Sequence, residues 1–208
     1  MKKVYKNIVF NLLIMLSIAG CSSTSNSISS SISNNEQTSS STKEGVTEKA
    51  IVIYFSATNN TINVANYISN HINSSIFALE PVDEYTSNDL NWTNSNSRVV
   101  KEHNDTNRHV ELKNVTFEGF DEAKYIFLGA PVWWQELSWV VDDFVKLNDF
   151  SNKTIIPFAT SASSGIGSSA TNLAKNITGN WLEGKRFSSN VSNGTVINWL
   201  EELNIKTA

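Results

Sequence analysis

The sequence predicts an α/β domain built on an open, doubly wound sheet of five parallel strands, occupying residues 49–208 behind an export segment. Three observations predict it. From Lys49 onward, short β-branched runs alternate with stretches of helical periodicity, the pattern of βαβ units. The runs are continuously apolar, as expected of strands covered on both faces. The composition also breaks sharply at this point, because everything between Ser22 and Glu48 is dominated by Ser, Thr and Asn. At 208 residues the chain has room for one domain of ordinary size plus additional segments.

The chain begins with Lys2, Lys3 and Lys6, followed by an apolar run from Ile8 to Ala19 broken only by Asn11 and Ser17. That run is shorter than the ~20 residues a spanning helix needs, and its basic front and small-residue end predict a signal peptide over residues 1–20. Leu16-Ser17-Ile18-Ala19-Gly20-Cys21 resembles the bacterial lipobox, in which the cysteine receives diacylglycerol and becomes the new N-terminus. Cys21 is the only cysteine of the chain. The resemblance implies lipidation at Cys21 and a protein anchored to the cell membrane on its extracytoplasmic side; the alternative is an ordinary secretory peptide. Residues 21–48 carry too little apolar surface to offset the entropy of ordering, and predict a disordered tether with an end-to-end distance of roughly 30 Å.

In the domain, strands are predicted at Ala50–Phe55, Ile76–Leu79, Tyr125–Gly129 and Thr154–Ala159, with a weaker fifth at Gly184–Ser189. Helices are predicted at Thr61–Ile72, Leu137–Leu147, Ser168–Ile177 and Thr195–Leu203, each with apolar residues three or four apart. Glu80–Val115 is polar, long and only briefly helical around Arg98–His103. A stretch of that length inside a domain is usually functional or disordered.

Composition narrows the chemistry. A single cysteine excludes a disulfide framework, a thiolate metal cluster and a redox dithiol. The formal charge is −4. Loss of residues 1–20 removes three lysines and makes the mature chain more negative by three, which argues against nucleic acid as a partner. His71, His103 and His109 are far apart in sequence and read as solvated surface residues rather than ligands or bases. No metal site is indicated. The carboxylates, Asp142, Asp143, Glu201 and Glu202 among them, read as capping and solubility groups.

An open parallel sheet binds its ligand beyond the carboxyl ends of the strands, where the winding switches direction. After the first predicted strand comes Ser56-Ala57-Thr58-Asn59-Asn60-Thr61, opening a helix with free N–H groups, hydroxyls and the positive end of the dipole. Such residues are also the commonest helix caps. With no Lys and no Gly-rich run of the Walker type, the loop suits a phosphate monoester better than a triphosphate with magnesium. After the third strand comes Ala130-Pro131-Val132-Trp133-Trp134, and after the fourth Thr160-Ser161-Ala162-Ser163-Ser164-Gly165-Ile166-Gly167. Adjacent tryptophans at a strand end cannot both point into the core without distorting the sheet, and an aromatic at such a crevice can stack on a planar ring; the alternative is two core or edge tryptophans.

Taken in order and spacing, Tyr54-Phe55-Ser56-Ala57-Thr58-Asn59-Asn60-Thr61, Pro131-Val132-Trp133-Trp134 and Thr160 to Gly167 resemble the three FMN-binding loops of the flavodoxin family. The likeness is strongest to the bacterial branch with a Trp-Trp pair in the second loop. This implies strand order 2-1-3-4-5 and FMN as the cofactor. Ser56, Thr58, Asn60 and Thr61 would hold the phosphate, Trp133 and Trp134 would cover or edge the isoalloxazine, and Thr160, Ser161, Ala162, Ser163, Ser164 and Gly165 would contact the polar side of the ring. Ala57, Asn59, Pro131 and Val132 complete the predicted binding set. Asn59 stands where the family usually has Gly, and Ala162-Ser163 replace its Gly-Gly pair. The implied role is an electron carrier for an unidentified redox protein or quinone rather than a turnover enzyme. The alternatives are an FMN-dependent quinone or azo reductase and a flavin-free binding module of the same fold.

Overall fold

The computed structural model describes residues 48–175 and 177–207. The expected signal peptide, lipidated Cys21 and all of the tether but Glu48 lie outside the described residues.

The first strand, β1 (Ala50–Tyr54), is central, with β2 (Ser75–Ala78) on one side and β3 (Tyr125–Trp133) on the other, both parallel to it. β5 (Thr154–Thr160) continues the parallel sheet beside β3, after a two-residue strand β4 (Glu136–Leu137) that folds back antiparallel on β3. The fifth position is filled in two pieces. β6 (Asn180–Trp181) pairs with the start of β5 and β7 (Lys185–Phe187) with its end. The predicted strand Gly184–Ser189 is present as the shorter β7, and β6 lies ahead of it at residues the sequence reading left unassigned. The chain leaves the ladder around Gly184, where a Cβ would run into Pro157 and Ile166. Counting β6 and β7 as one position, the order is the doubly wound 2-1-3-4-5 arrangement.

Strand parity divides the core into two layers. Val52 of β1, Phe127 of β3, and Ile156 and Phe158 of β5 face α1 (Asn60–Ile72) and α5 (Asn193–Glu202), meeting Val64, Ile68, Val196 and Trp199. Ile51 and Ile53, Ile126 and Leu128, and Ile155 and Ala159 face the other way, against Phe144 and Val145 of α3 (Val141–Leu147) and the ring of Phe150. Gly129 is required on the face toward α1 and α5, because a Cβ there would enter the Phe158 ring.

Two helices are shorter than predicted. α3 starts at Val141, not Leu137, because Leu137 pairs with Val132 in the β3–β4 hairpin. α4 covers Ser169–Ala174, beginning after Gly167 at a φ of +58°. The polar stretch after β2 is ordered. Its neck is closed by the Pro81–Leu112 bridge and by Lys113 N–H donating to the Glu80 carbonyl at 2.8 Å. Between them it carries α2 (Arg98–Asn104) and side-chain-capped turns at Thr86–Asp89, Asn91–Thr93 and Asn94–Asn96.

Candidate functional site

The three predicted loops converge at the carboxyl ends of β1, β3 and β5, which are neighbours in the sheet. The first, Ser56–Thr61, turns from β1 into α1 through Asn59, whose φ of 61° and ψ of 7° are left-handed. Asparagine tolerates this conformation better than other residues with a side chain. Ser56 Oγ accepts from the Ile62 N–H at 3.3 Å, and Asn60 Nδ2 donates to Thr58 Oγ1 at 3.1 Å. The N–H groups of Thr58, Asn59, Asn60 and Thr61 have no acceptor among the described residues, and the side chain of Asn59, the N-cap residue, makes no cap bond. Four donors without partners therefore lie together at the positive end of a 13-residue helix. Thr61 is buried, and its hydroxyl meets that of Thr160 at 2.8 Å, tying the base of the first loop to the third.

The second segment is a strand and a tight turn. β3 runs on through Pro131, Val132 and Trp133, four residues beyond its predicted end at Gly129, before Trp134 and Gln135 reverse the chain at φ 47° and 67°. This is the two-residue hairpin turn with both central residues left-handed, normally made with Asn or Gly. The turn separates the tryptophans. Trp133 is half-buried beside the end of β1, its ring 5.7 Å from Phe55, 5.2 Å from Tyr85 and 4.9 Å from Trp139. Trp134 is exposed at the tip and stacks on His103 of α2 at 4.3 Å and 14°.

In the third loop Ser161 is held at both ends. Its N–H donates to the Phe187 carbonyl, and its hydroxyl and carbonyl accept from Arg186 at 2.9 and 2.6 Å. The same hydroxyl donates to the Ser164 carbonyl, so Ala162 and Ser163 stand at the exposed tip of a closed turn. Gly165 is exposed as well. Gly167 lies so close to the Gln135 carbonyl that a Cβ would overlap it, which fixes the third loop against the hairpin.

Sequence reasoning missed three contributors. Tyr85, from the insertion after β2, lines a cavity of about 280 Å³ with Phe55, Ser56, Ala57 and Asn59, next to the first loop. Its phenol is held far above its ordinary value, chiefly by burial and then by a hydrogen bond to Glu102. Trp139 packs behind Trp133, and Arg186 grips the third loop. No periodicity marks Tyr85, and Trp139 falls inside the predicted helix Leu137–Leu147 with nothing to set it apart. Glu80 and Glu84 rim the same cavity and are paired with Lys113 at 3.4 and 2.8 Å.

The profile of the flavodoxin family matches residues 49–203. The chain belongs to the flavodoxin family. Among solved structures, a protein from Bacteroides eggerthii designated a flavoprotein is similar at 33% identity, covering 76% of this chain and 99% of its own, with a TM-score of 0.70. Its counterpart from Bacteroides uniformis is similar at 32%, covering 74% and 99%, with a TM-score of 0.69. A flavoprotein from Lactobacillus acidophilus, solved in complex with FMN, shares the fold at 18% identity and a TM-score of 0.54, covering 74% and 99%. No curated protein matches the chain.

Proposed function

We propose that this member of the flavodoxin family binds FMN and carries electrons at the outer face of the cytoplasmic membrane, anchored by lipid on Cys21. The observation that carries the cofactor is the first loop. Four N–H donors without partners, the Ser56, Thr58 and Asn60 side chains and a helix N-terminus together match a phosphate monoester dianion. Trp133 supplies an aromatic surface beside that loop, and the turn Thr160–Gly165 supplies exposed polar backbone across from it. The fold shared with the Lactobacillus protein solved with FMN supports the same reading.

FMN held here would supply one- or two-electron chemistry, and the protein's part would be to hold it, exclude water from one face and set its potential. Electron transfer itself requires no acid–base side chain. The negative charge of the mature chain would lower the potential of a flavin held there, which favours an electron donor. A lipid-anchored domain outside the cell meets little NAD(P)H, which favours a carrier over a nicotinamide-dependent reductase. Its partner would be a redox protein or a quinone.

Titration of the mature chain with FMN and with riboflavin tests the assignment. Hydrogen bonds to a charged group are each worth about 1.5–3 kcal/mol, so Thr58→Ala/Asn60→Ala is expected to weaken FMN binding at least about tenfold while riboflavin changes little. Equal losses for both ligands would place the phosphate elsewhere. A wild-type chain that binds neither would leave a flavin-free module.

A further inference from the structure

Glu102, on the one helix of the insertion after β2, accepts three hydrogen bonds from three separate places in the chain. The Tyr85 phenol and the Trp139 indole Nε1 both donate to Oε2, at 2.6 and 2.8 Å, and Arg98 Nε donates to Oε1 at 2.6 Å. Arg98 also lies over the Tyr85 ring, 4.0 Å from its centroid, and donates to the Asp83 carbonyl at 2.6 Å. The Glu102 side chain is only 14% exposed, so these are short, charge-assisted bonds in a poorly solvated setting. A carboxylate is the side chain suited to this position, because it alone offers acceptors on two oxygens while balancing the Arg98 charge.

The two aromatic donors share a further property. Their rings are the ones that edge Trp133, Tyr85 on one side and Trp139 on another, both in T-shaped geometry. With Phe55 as the remaining contact, Trp133 is hemmed in by one ring from β1's end and by two whose polar atoms end on the same carboxylate oxygen.

We propose that Glu102 is a positioning residue of the flavin site: by fixing Tyr85 and Trp139 it sets the orientation of Trp133, and it makes the insertion after β2 a permanent wall of the site instead of a lid. The proposal rests on the FMN reading above. Burial and the Glu102 contact keep the Tyr85 phenol protonated, so the link persists across the working pH range. The wall presents ring edges and faces to its interior, since the hydroxyl and the indole N–H are both turned to Glu102. His103, the next residue on α2, stacks on Trp134 and pins the hairpin tip to the same helix.

The test compares Glu102→Ala with Glu102→Gln in the full mature chain. Glutamine keeps one oxygen for Tyr85 and Trp139 but turns an NH2 toward the Arg98 Nε–H and gives up the balancing charge, while Arg98 retains its bond to the Asp83 carbonyl; alanine leaves both aromatic donors without a partner. Glu102→Ala is expected to weaken FMN binding about tenfold, to relieve part of the flavin fluorescence quenching and to shift the midpoint potential, with Glu102→Gln restoring all three to near wild type. A clamp that merely anchors the insertion would lower the melting temperature of Glu102→Ala and leave affinity, quenching and potential at wild-type values, and that result overturns the proposal. Should Glu102→Ala fail to fold, Tyr85→Phe cuts one link while keeping the ring. It is expected to move quenching and potential in the same direction, and unchanged values count against the proposal. The near-UV circular dichroism of the flavin-free chain separates this inference from the cofactor assignment. An altered tryptophan signal in Glu102→Ala, restored in Glu102→Gln, supports the positioning role even if wild type binds no FMN, whereas an unaltered signal overturns it.

Discussion

Gln135 adopts a φ of 67° beside Trp134 at 47°, so two side-chain-bearing residues occupy a turn that glycine makes without steric cost. A left-handed residue with a Cβ costs about 1–2 kcal/mol, and Gln135→Gly is expected to recover about 1 kcal/mol, read as a higher urea midpoint at unchanged slope. An unchanged midpoint would mean that the turn already relaxes its strain through its neighbours. Gly167 behaves oppositely. Its φ is +58° and the Gln135 carbonyl sits where a Cβ would go, so Gly167→Ala is expected to cost roughly 1–3 kcal/mol and to loosen the third loop from the hairpin. Asn59 was legible from the sequence as a stand-in for glycine, because its short amide side chain tolerates the left-handed region. Trp134 and Gln135 carry no such signature. Their conformation follows from the pairing of Trp133 with Glu136 and is visible only in the folded chain.

The element in which sequence and structure diverge most is the segment from β3 to α3. An apolar periodicity across residues 137–147 is satisfied equally by a helix or by a strand followed by a helix, and pairing with Val132 decides for the latter at Leu137. The insertion after β2 was illegible for a different reason. Its order comes from side-chain-capped turns and from the long-range contacts of Tyr85 and Glu102, none of which leaves a period. The main strands and α1 were legible because burial on both faces and a helix stripe impose strong patterns. Within α3, Asp142 carries a consequence for pH. Burial raises its carboxyl above the ordinary value, with Lys146 and Arg108 opposing. A carboxyl raised in this way holds its proton more firmly in the folded chain, so its stabilising contribution is complete below the ordinary value and is lost as pH climbs through the folded one. Asp142→Asn is therefore expected to raise stability at neutral pH and to flatten this decline. Melting curves between pH 4 and 8 that superimpose on those of wild type would contradict the assignment.

For the molecule as a whole, attachment is expected to depend on one atom, the sulfur of Cys21. Cys21→Ala is expected to accumulate unprocessed or to leave the membrane fraction, and normal processing with retention in that fraction would refute the anchor. The three loops were legible together because their order and spacing formed a pattern that none of them carries alone. The proposed anchoring would also give the divided fifth position of the sheet a meaning. Proteins held in a membrane plane meet one another at high local concentration and with restricted orientation, conditions that favour strand addition between open sheet edges. One edge here is the four-residue β2 and the other the separated pair β6 and β7, two and three residues long. Neither offers a run of free backbone long enough to template a neighbour, so crowding on the membrane is not expected to drive the domains into polymers.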